Sequence, residues 1–325
     1  VSDLAQEIAS GDRRALSQGI TIVESTRSDD RGRALALLTA LLPRAGGAIR
    51  VGVSGAPGAG KSTLIEALGV MLADAGTRVG VLAVDPSSAR SGGSILGDRT
   101  RMEELSRHDS AFIRPSPSGG TLGGVARRTR EAMILIEAWG AEVILVETVG
   151  VGQSEITVAG MVDQFLLLIT PGGGDELQGI KRGVMELADV IAVNKADGEL
   201  AGPAERSRAE YASAMRLMRP RHTGLPTPVL TCSALERTGL EVLWSTLLER
   251  HAVLESDGRL AELRARQAQE WLWSEIREGL VEAIAADPET ARLANRREAQ
   301  IRAGDAFPPA AAREIVDALI RKDER

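Results

Sequence analysis

The chain has 325 residues, room for one large domain or two ordinary ones, and its 43% apolar and 26% charged content supports a packed core rather than disorder. Its net charge of −6 argues against a dedicated nucleic-acid binder, and an aromatic content of 2% removes the base-stacking platforms such binders use. One cysteine, Cys232, permits no disulfide within the chain and no zinc framework. His108, His222 and His251 are scattered, and read as surface or core imidazoles rather than metal ligands. The longest apolar runs, such as Phe165–Ile169, are too short to span a bilayer. No basic segment followed by an apolar one marks the N-terminus, so no signal peptide is expected, and cytosol is the expected compartment.

In chain order, residues 1–48 read as helical. Leu4, Ile8, Leu16, Ile20 and Val23 roughly follow helical spacing, and Arg33–Leu42 is a second apolar-faced segment before Pro43 and Gly46-Gly47 break the pattern. From residue 49, short β-rich runs alternate with helices. The expected strands are Ile49–Ser54, Arg78–Asp85, Ala111–Arg114, Val143–Thr148, Gln164–Thr170, Val190–Asn194 and Pro228–Ser233. The expected helices between them are Lys61–Ala75, Gly123–Trp139, Glu176–Leu187, Pro203–Met218 and Leu240–His251. Several strands are apolar throughout, as strands buried on both faces are. The alternation predicts an α/β fold of the P-loop NTPase type: a mostly parallel sheet flanked by helices, with ligands at the strand C-termini. After His251 only helices are expected: Arg259–Ala285, with Leu260, Leu263, Trp271 and Ile276 as candidate buried positions, then Ala291–Ile301 and Ala310–Ile320. The expected organisation is a helical extension over 1–48, a nucleotide-binding domain over 49–251 and a helical extension over 252–325.

Gly55-Ala56-Pro57-Gly58-Ala59-Gly60-Lys61-Ser62, with Thr63 after it, matches the P-loop pattern between a β-rich run and a helix. Its glycines let backbone N–H groups close around phosphate oxygens, and the helix N-terminus adds favourable partial charge. Lys61 supplies a point charge for β- and γ-phosphates, and Ser62 a hydroxyl for Mg²⁺. Mg²⁺ needs hard oxygen ligands. Three carboxylates stand where an α/β sheet delivers residues to its ligand: Asp85 ending the second strand, Asp98 in a Gly/Ser-rich loop, and Glu147 ending the central strand. Glu147-Thr148-Val149-Gly150 resembles the third GTPase motif with Glu in place of the commoner Asp, and Gly150 would offer its N–H to the γ-phosphate. Val151 occupies the place where Ras-like enzymes carry a catalytic Gln, and Gln153 is at the wrong offset, so slow intrinsic hydrolysis is expected.

Asn194-Lys195-Ala196-Asp197 is an N-K-x-D motif after an apolar strand. Guanine presents N1–H and its 2-amino group side by side, and the Asp197 carboxylate can accept both, whereas adenine offers a lone pair at N1. The Lys195 stem can cover the base, and Asn194 can tie loops together. Ser233-Ala234-Leu235 fits the last GTPase motif, where a backbone N–H meets guanine O6. These residues imply bound GTP or GDP with Mg²⁺.

Nearly the whole chain resembles the MeaB/ArgK family, whose human relative is the methylmalonic aciduria type A protein. The resemblance is carried by Val53–Ser62, Val84–Ser88, Gly92–Arg99, Gly119–Ala126, Val146–Glu155 and Pro171–Gly183. It accounts for Glu147, since the family belongs to metallocentre-assembly GTPases with Glu in the third motif. It implies a GTPase chaperone of adenosylcobalamin-dependent methylmalonyl-CoA mutase, gating cofactor loading and protecting the mutase from inactivation. It also implies a homodimer to which the C-terminal helices contribute, and a third switch over Gly172–Gly183 that includes Asp175, Gln178 and Lys181. On residue chemistry alone, Gly172-Gly173-Gly174 reads as a flexible connection. Two other readings compete: a metal-delivery GTPase of the hydrogenase or urease type, which usually carries a Cys/His site, and a small-molecule kinase, which needs an acceptor pocket.

Overall fold

The computed structural model describes residues 1–25, 27–84, 102–115, 122–148, 153–172 and 182–321. Among them, seven strands form one sheet in the order β3-β2-β4-β1-β5-β6-β7. These are β1 (Ile49–Gly55), β2 (Val79–Val84), β3 (Ala111–Arg114), β4 (Val143–Thr148), β5 (Gln164–Ile169), β6 (Val190–Val193) and β7 (Val229–Thr231). Every pairing is parallel, so the expected fold class holds without an antiparallel edge. All six residues of β5 and all four of β6 are buried, which is why Phe165–Ile169 and Val190–Val193 read as unbroken apolar runs.

The helices are α1 (Ser2–Ala9), α2 (Arg13–Glu24), α3 (Ser28–Leu41), α4 (Lys61–Asp74), α5 (Glu103–Arg107), α6 (Leu122–Ala138) and α7 (Gln153–Ala159). They continue with α8 (Arg182–Met185), α9 (Ala201–Arg216), α10 (Leu240–Ser256), α11 (Arg259–Ala286), α12 (Pro288–Ala303) and α13 (Pro308–Ile320). The short α5 and α7 were not expected, because five and seven residues are too few to show a helical period. Gly11, at φ +92°, and the Asp12 carboxylate, which accepts from Ala15 N at 2.7 Å, separate α1 from α2. Strand alternation divides the core. One face carries α1–α3, α6 and α7 on Ile144, Val146 and Phe165, and α9 on Leu167, Ile169 and Val193. The other carries α4, α5 and α10 on Val51, Val53, Leu145 and Leu166. The N-terminal helices therefore share the core of the sheet.

The chain divides into two compact units, Val1–Ala265 and Arg266–Arg325. The division falls inside α11, and the start of that helix is tied to the first unit. Leu260 and Leu263 are buried. Arg264 donates to both oxygens of Asp163 (2.8 and 2.7 Å) and to the carbonyls of Gly46 and Ala48. Asp163 is fully buried and also accepts from Arg50 N at 2.9 Å, while the Arg50 guanidinium pairs with buried Glu137. In the second unit, Ile276 is 39% exposed and not buried as its spacing suggested; Leu272, Leu280 and Val281 are likewise open. No helix among the described residues is long and apolar enough to cross a membrane.

Candidate nucleotide-binding site

The C-terminal ends of β1, β4, β6 and β7 bring four sequence motifs together. β1 runs into the glycine-rich turn, and Lys61 opens α4. Gly55, Gly58 and Gly60 have φ of +155°, +84° and +89°. At Gly55 a Cβ would stand 2.4 Å from Leu168 O, and at Gly60 2.5 Å from Asn194 Nδ2, so side chains are excluded on steric grounds alone. Lys61 is buried; its ammonium donates to Gly55 O (2.8 Å) and Ala56 O (3.2 Å). Burial lowers its pKa below the ordinary lysine value, against the opposing pull of Glu147 and Glu155. The Ser62 hydroxyl donates to Glu147 Oε1 at 2.8 Å, so the expected hydroxyl and carboxylate are adjacent. Two hard oxygens side by side at the mouth of the loop fit a Mg²⁺ ion. Thr63 lies on the exposed side of the same first turn, and Pro57 on the outside of the loop.

Asn194 joins the motifs. Its Nδ2 donates to Ala59 O at 2.9 Å, and its Oδ1 accepts from Ala234 N at 3.0 Å. One buried amide thus ties the phosphate loop to both base-reading loops. Lys195 is exposed and takes a left-handed φ of +60°, the turn that lets Asp197 face Ser233, whose hydroxyl it accepts. Ser233 and Thr238 exchange backbone hydrogen bonds at 3.0 and 3.1 Å, closing a four-residue loop with Leu235 79% exposed on it. Arg237 closes that loop at φ +56°, an uncommon conformation for a side-chain-bearing residue. Cys232 is buried beneath, and burial pushes its thiol up to about 12, so it acts as packing and not as a nucleophile.

Asp85, Asp98, Gly150, Asp175, Gln178 and Lys181 lie outside the described residues. The described ones contain no group of three or more His, Cys, Asp or Glu side chains placed to hold a metal ion. Sequence reasoning missed Ser54, Thr148, Ser154 and Glu155, four buried polar residues behind the phosphate loop. Their only sequence signal is a hydroxyl interrupting each of two apolar strands.

Comparison with known proteins agrees with this geometry. The family model for "Methylmalonyl Co-A mutase-associated GTPase MeaB" matches residues 16–289. The chain is 52% identical to a putative GTPase of Caulobacter vibrioides, covering 98% of both chains. It is 47% identical to the mitochondrial methylmalonic aciduria type A homolog of Mus musculus, covering 96% of this chain and 78% of that one. Among solved structures it resembles a LAO/AO transport system kinase, at 36% identity, a TM-score of 0.76, and coverage of 98% and 97%.

Proposed function

We propose, since this chain belongs to the MeaB family of P-loop GTPases, that it binds Mg·GTP at this site and hydrolyses it as a chaperone of adenosylcobalamin-dependent methylmalonyl-CoA mutase. The observation that carries the nucleotide reading is the Asn194 amide, which holds the phosphate loop and both base-reading loops in one place. Lys61 gives its charge to the β- and γ-phosphates, and the P-loop N–H groups surround the same oxygens. Ser62 and Glu147 hold the Mg²⁺, together with Asp85 or Asp98. A Mg²⁺ ion held by these residues would supply positive charge against the phosphates. Asp197 reads the two guanine donors. The Ser233 and Ala234 N–H groups are engaged by Thr238 O and Asn194 Oδ1, which leaves the Leu235 N–H to meet guanine O6.

Titration of GTP and xanthosine triphosphate against the native protein and Asp197→Asn tests the base assignment. The variant should lose GTP affinity and gain affinity for xanthosine triphosphate, because the new amide donor suits a carbonyl at position 2. An unchanged preference for GTP sinks the assignment. Free phosphate with no phosphorylated small molecule among the products separates the GTPase from the kinase reading that one structural relative's name raises. The mutase role rests on the family and on the mouse relative; co-precipitation with methylmalonyl-CoA mutase, with and without GTP, is its test. The homodimer is supported by Leu272, Ile276 and Leu280, open apolar positions at four-residue spacing on α11. Leu272→Glu with Leu280→Glu should give monomers in light scattering.

A further inference from the structure

A polar cluster lies behind the phosphate loop, between the sheet and α7. Alternation along β1 and β4 turns Gly52, Ser54, Ile144, Val146 and Thr148 toward the face that α7 covers. The helix follows β4 and precedes β5, and those strands are parallel neighbours of β1, so it runs back across the sheet from the nucleotide edge. Val158 rests on the middle of β1: a Cβ on Gly52 would stand 2.8 Å from Val158 Cγ1. Glu155 is one helical turn nearer the nucleotide edge, about 4.5 Å along the axis. The step along β1 from Gly52 to Ser54 is about 6.6 Å at about 3.3 Å per residue, so the backbone of Glu155 lies between the levels of Gly52 and Ser54. Glu155 is therefore displaced from Gly52 toward Ser54 and toward Gly55, the residue whose carbonyl receives the Lys61 ammonium.

Where the strands would otherwise present more valine and isoleucine, the chain buries hydroxyls and a carboxylate. Ser54, Thr148, Ser154 and Glu155 are 1%, 1%, 0% and 3% exposed. Thr148 donates to Ser54 Oγ at 2.9 Å, and Ser154 donates to Glu155 Oε2 at 3.2 Å. A carboxylate kept from water beside a phosphate site acts at longer range than a solvated one. Its charge acts on Lys61, together with that of Glu147.

We propose that Glu155 is a specificity-determining residue of the nucleotide site, a fixed anionic counterweight to Lys61 that sets the preference between triphosphate and diphosphate. The inference rests on the GTP reading above. A triphosphate brings more negative charge than a diphosphate, and Glu155 disfavours it in two ways of the same sign. It repels the added charge, and it competes for the lysine that charge needs.

The test is calorimetric titration of GTP and GDP, each with Mg²⁺, against the native protein and three full-length variants. Glu155→Gln keeps the acceptor for Ser154 and removes the charge; Glu155→Met is a second neutral replacement of similar length; Glu155→Asp keeps the charge. Thermal melts without nucleotide establish that each variant is folded. The neutral variants should bind GTP on the order of three- to tenfold more tightly relative to GDP than the native protein does. Glu155→Asp should stay within about twofold of the native ratio. A merely structural role weakens both nucleotides together and leaves the ratio alone; that result in either folded neutral variant overturns the inference. Failure of the native protein to bind either nucleotide overturns the GTP reading itself.

Discussion

Replacing Asn194 by alanine isolates the joint between the motifs. The side chain is 1% exposed; its Nδ2 donates to Ala59 O, and its Oδ1 accepts from Ala234 N and, at 3.7 Å, from the Cys232 thiol, all in residues that are themselves buried. Truncation leaves a carbonyl and an N–H without partners, each costing about 1–3 kcal/mol when buried. A total near 3 kcal/mol is expected. The unit that contains the site spans residues 1–265, which gives an unfolding entropy of about 0.56 kcal/mol/K and a melting temperature lower by about 5 °C. Asn194→Asp should do no better. It keeps an acceptor for Ala234 N but sets a carboxylate oxygen against Ala59 O. Scanning calorimetry without nucleotide measures the loss, and titration should show GTP and GDP weakened together, since the amide touches neither phosphate loop charge. A variant melting within about 1 °C of the native protein would refute the assignment of Asn194 as the joint.

Two glycines separate packing from helix propensity. A Cβ at Gly19 in α2 would stand 2.8 Å from Ile8 Cδ1 and 2.9 Å from Leu135 Cδ2, so Gly19→Val should cost about 2–3 kcal/mol by overpacking. Gly32 in α3 has nothing within 4 Å of that position, so Gly32→Ala should gain about 0.5–1 kcal/mol, and paired melts of the two variants check both signs. Burial depresses the His222 pKa below 6.5, Asp189 pulls it up, and Arg221, Arg250 and Arg259 push it further down. The folded chain then binds fewer protons than the unfolded one. The His222 contribution is full above about pH 6.5 and is lost as pH falls through the depressed folded value. Melting temperatures from pH 7.5 to 5 should show a shallower acid limb in His222→Gln.

What the sequence made legible was local. Phosphate cradling needs neighbours in the chain, so Gly55–Ser62 announces itself, and guanine reading needs only Asn194–Asp197 at the end of a strand. Ala111–Arg114 and Val143–Thr148 match their expected bounds because each opens with an apolar run buried on both faces and closes on polar residues, Arg114 and Glu147-Thr148. What stayed hidden depended on register. Ser54, Thr148 and Glu155 come from three segments. Ser54 and Thr148 meet, on the face that α7 covers, only because Gly52 pairs with Val146 and Val53 with Glu147. The engagement of the Ser233 and Ala234 N–H groups likewise needed the loop's own bonds. The division inside α11 escaped because Arg264 finds its partners 101 and more than 200 residues earlier.

That last contact has a consequence for biosynthesis. Every nucleotide-binding motif has been translated by Leu235. Asp163, at the foot of the sheet, receives its guanidinium only when residue 264 is made. Until then the nascent chain holds a carboxylate that the finished fold buries completely, and leaving such a charge uncompensated costs several kcal/mol. A premature stop codon between 240 and 264 should therefore act as a loss of the entire nucleotide-binding body, degraded before it matures. One placed just after 265 should spare that body and delete only the terminal helices. Stops before 264 also remove core residues of α10 and the buried Leu260 and Leu263, and Arg264 is the last of these contributions to be made.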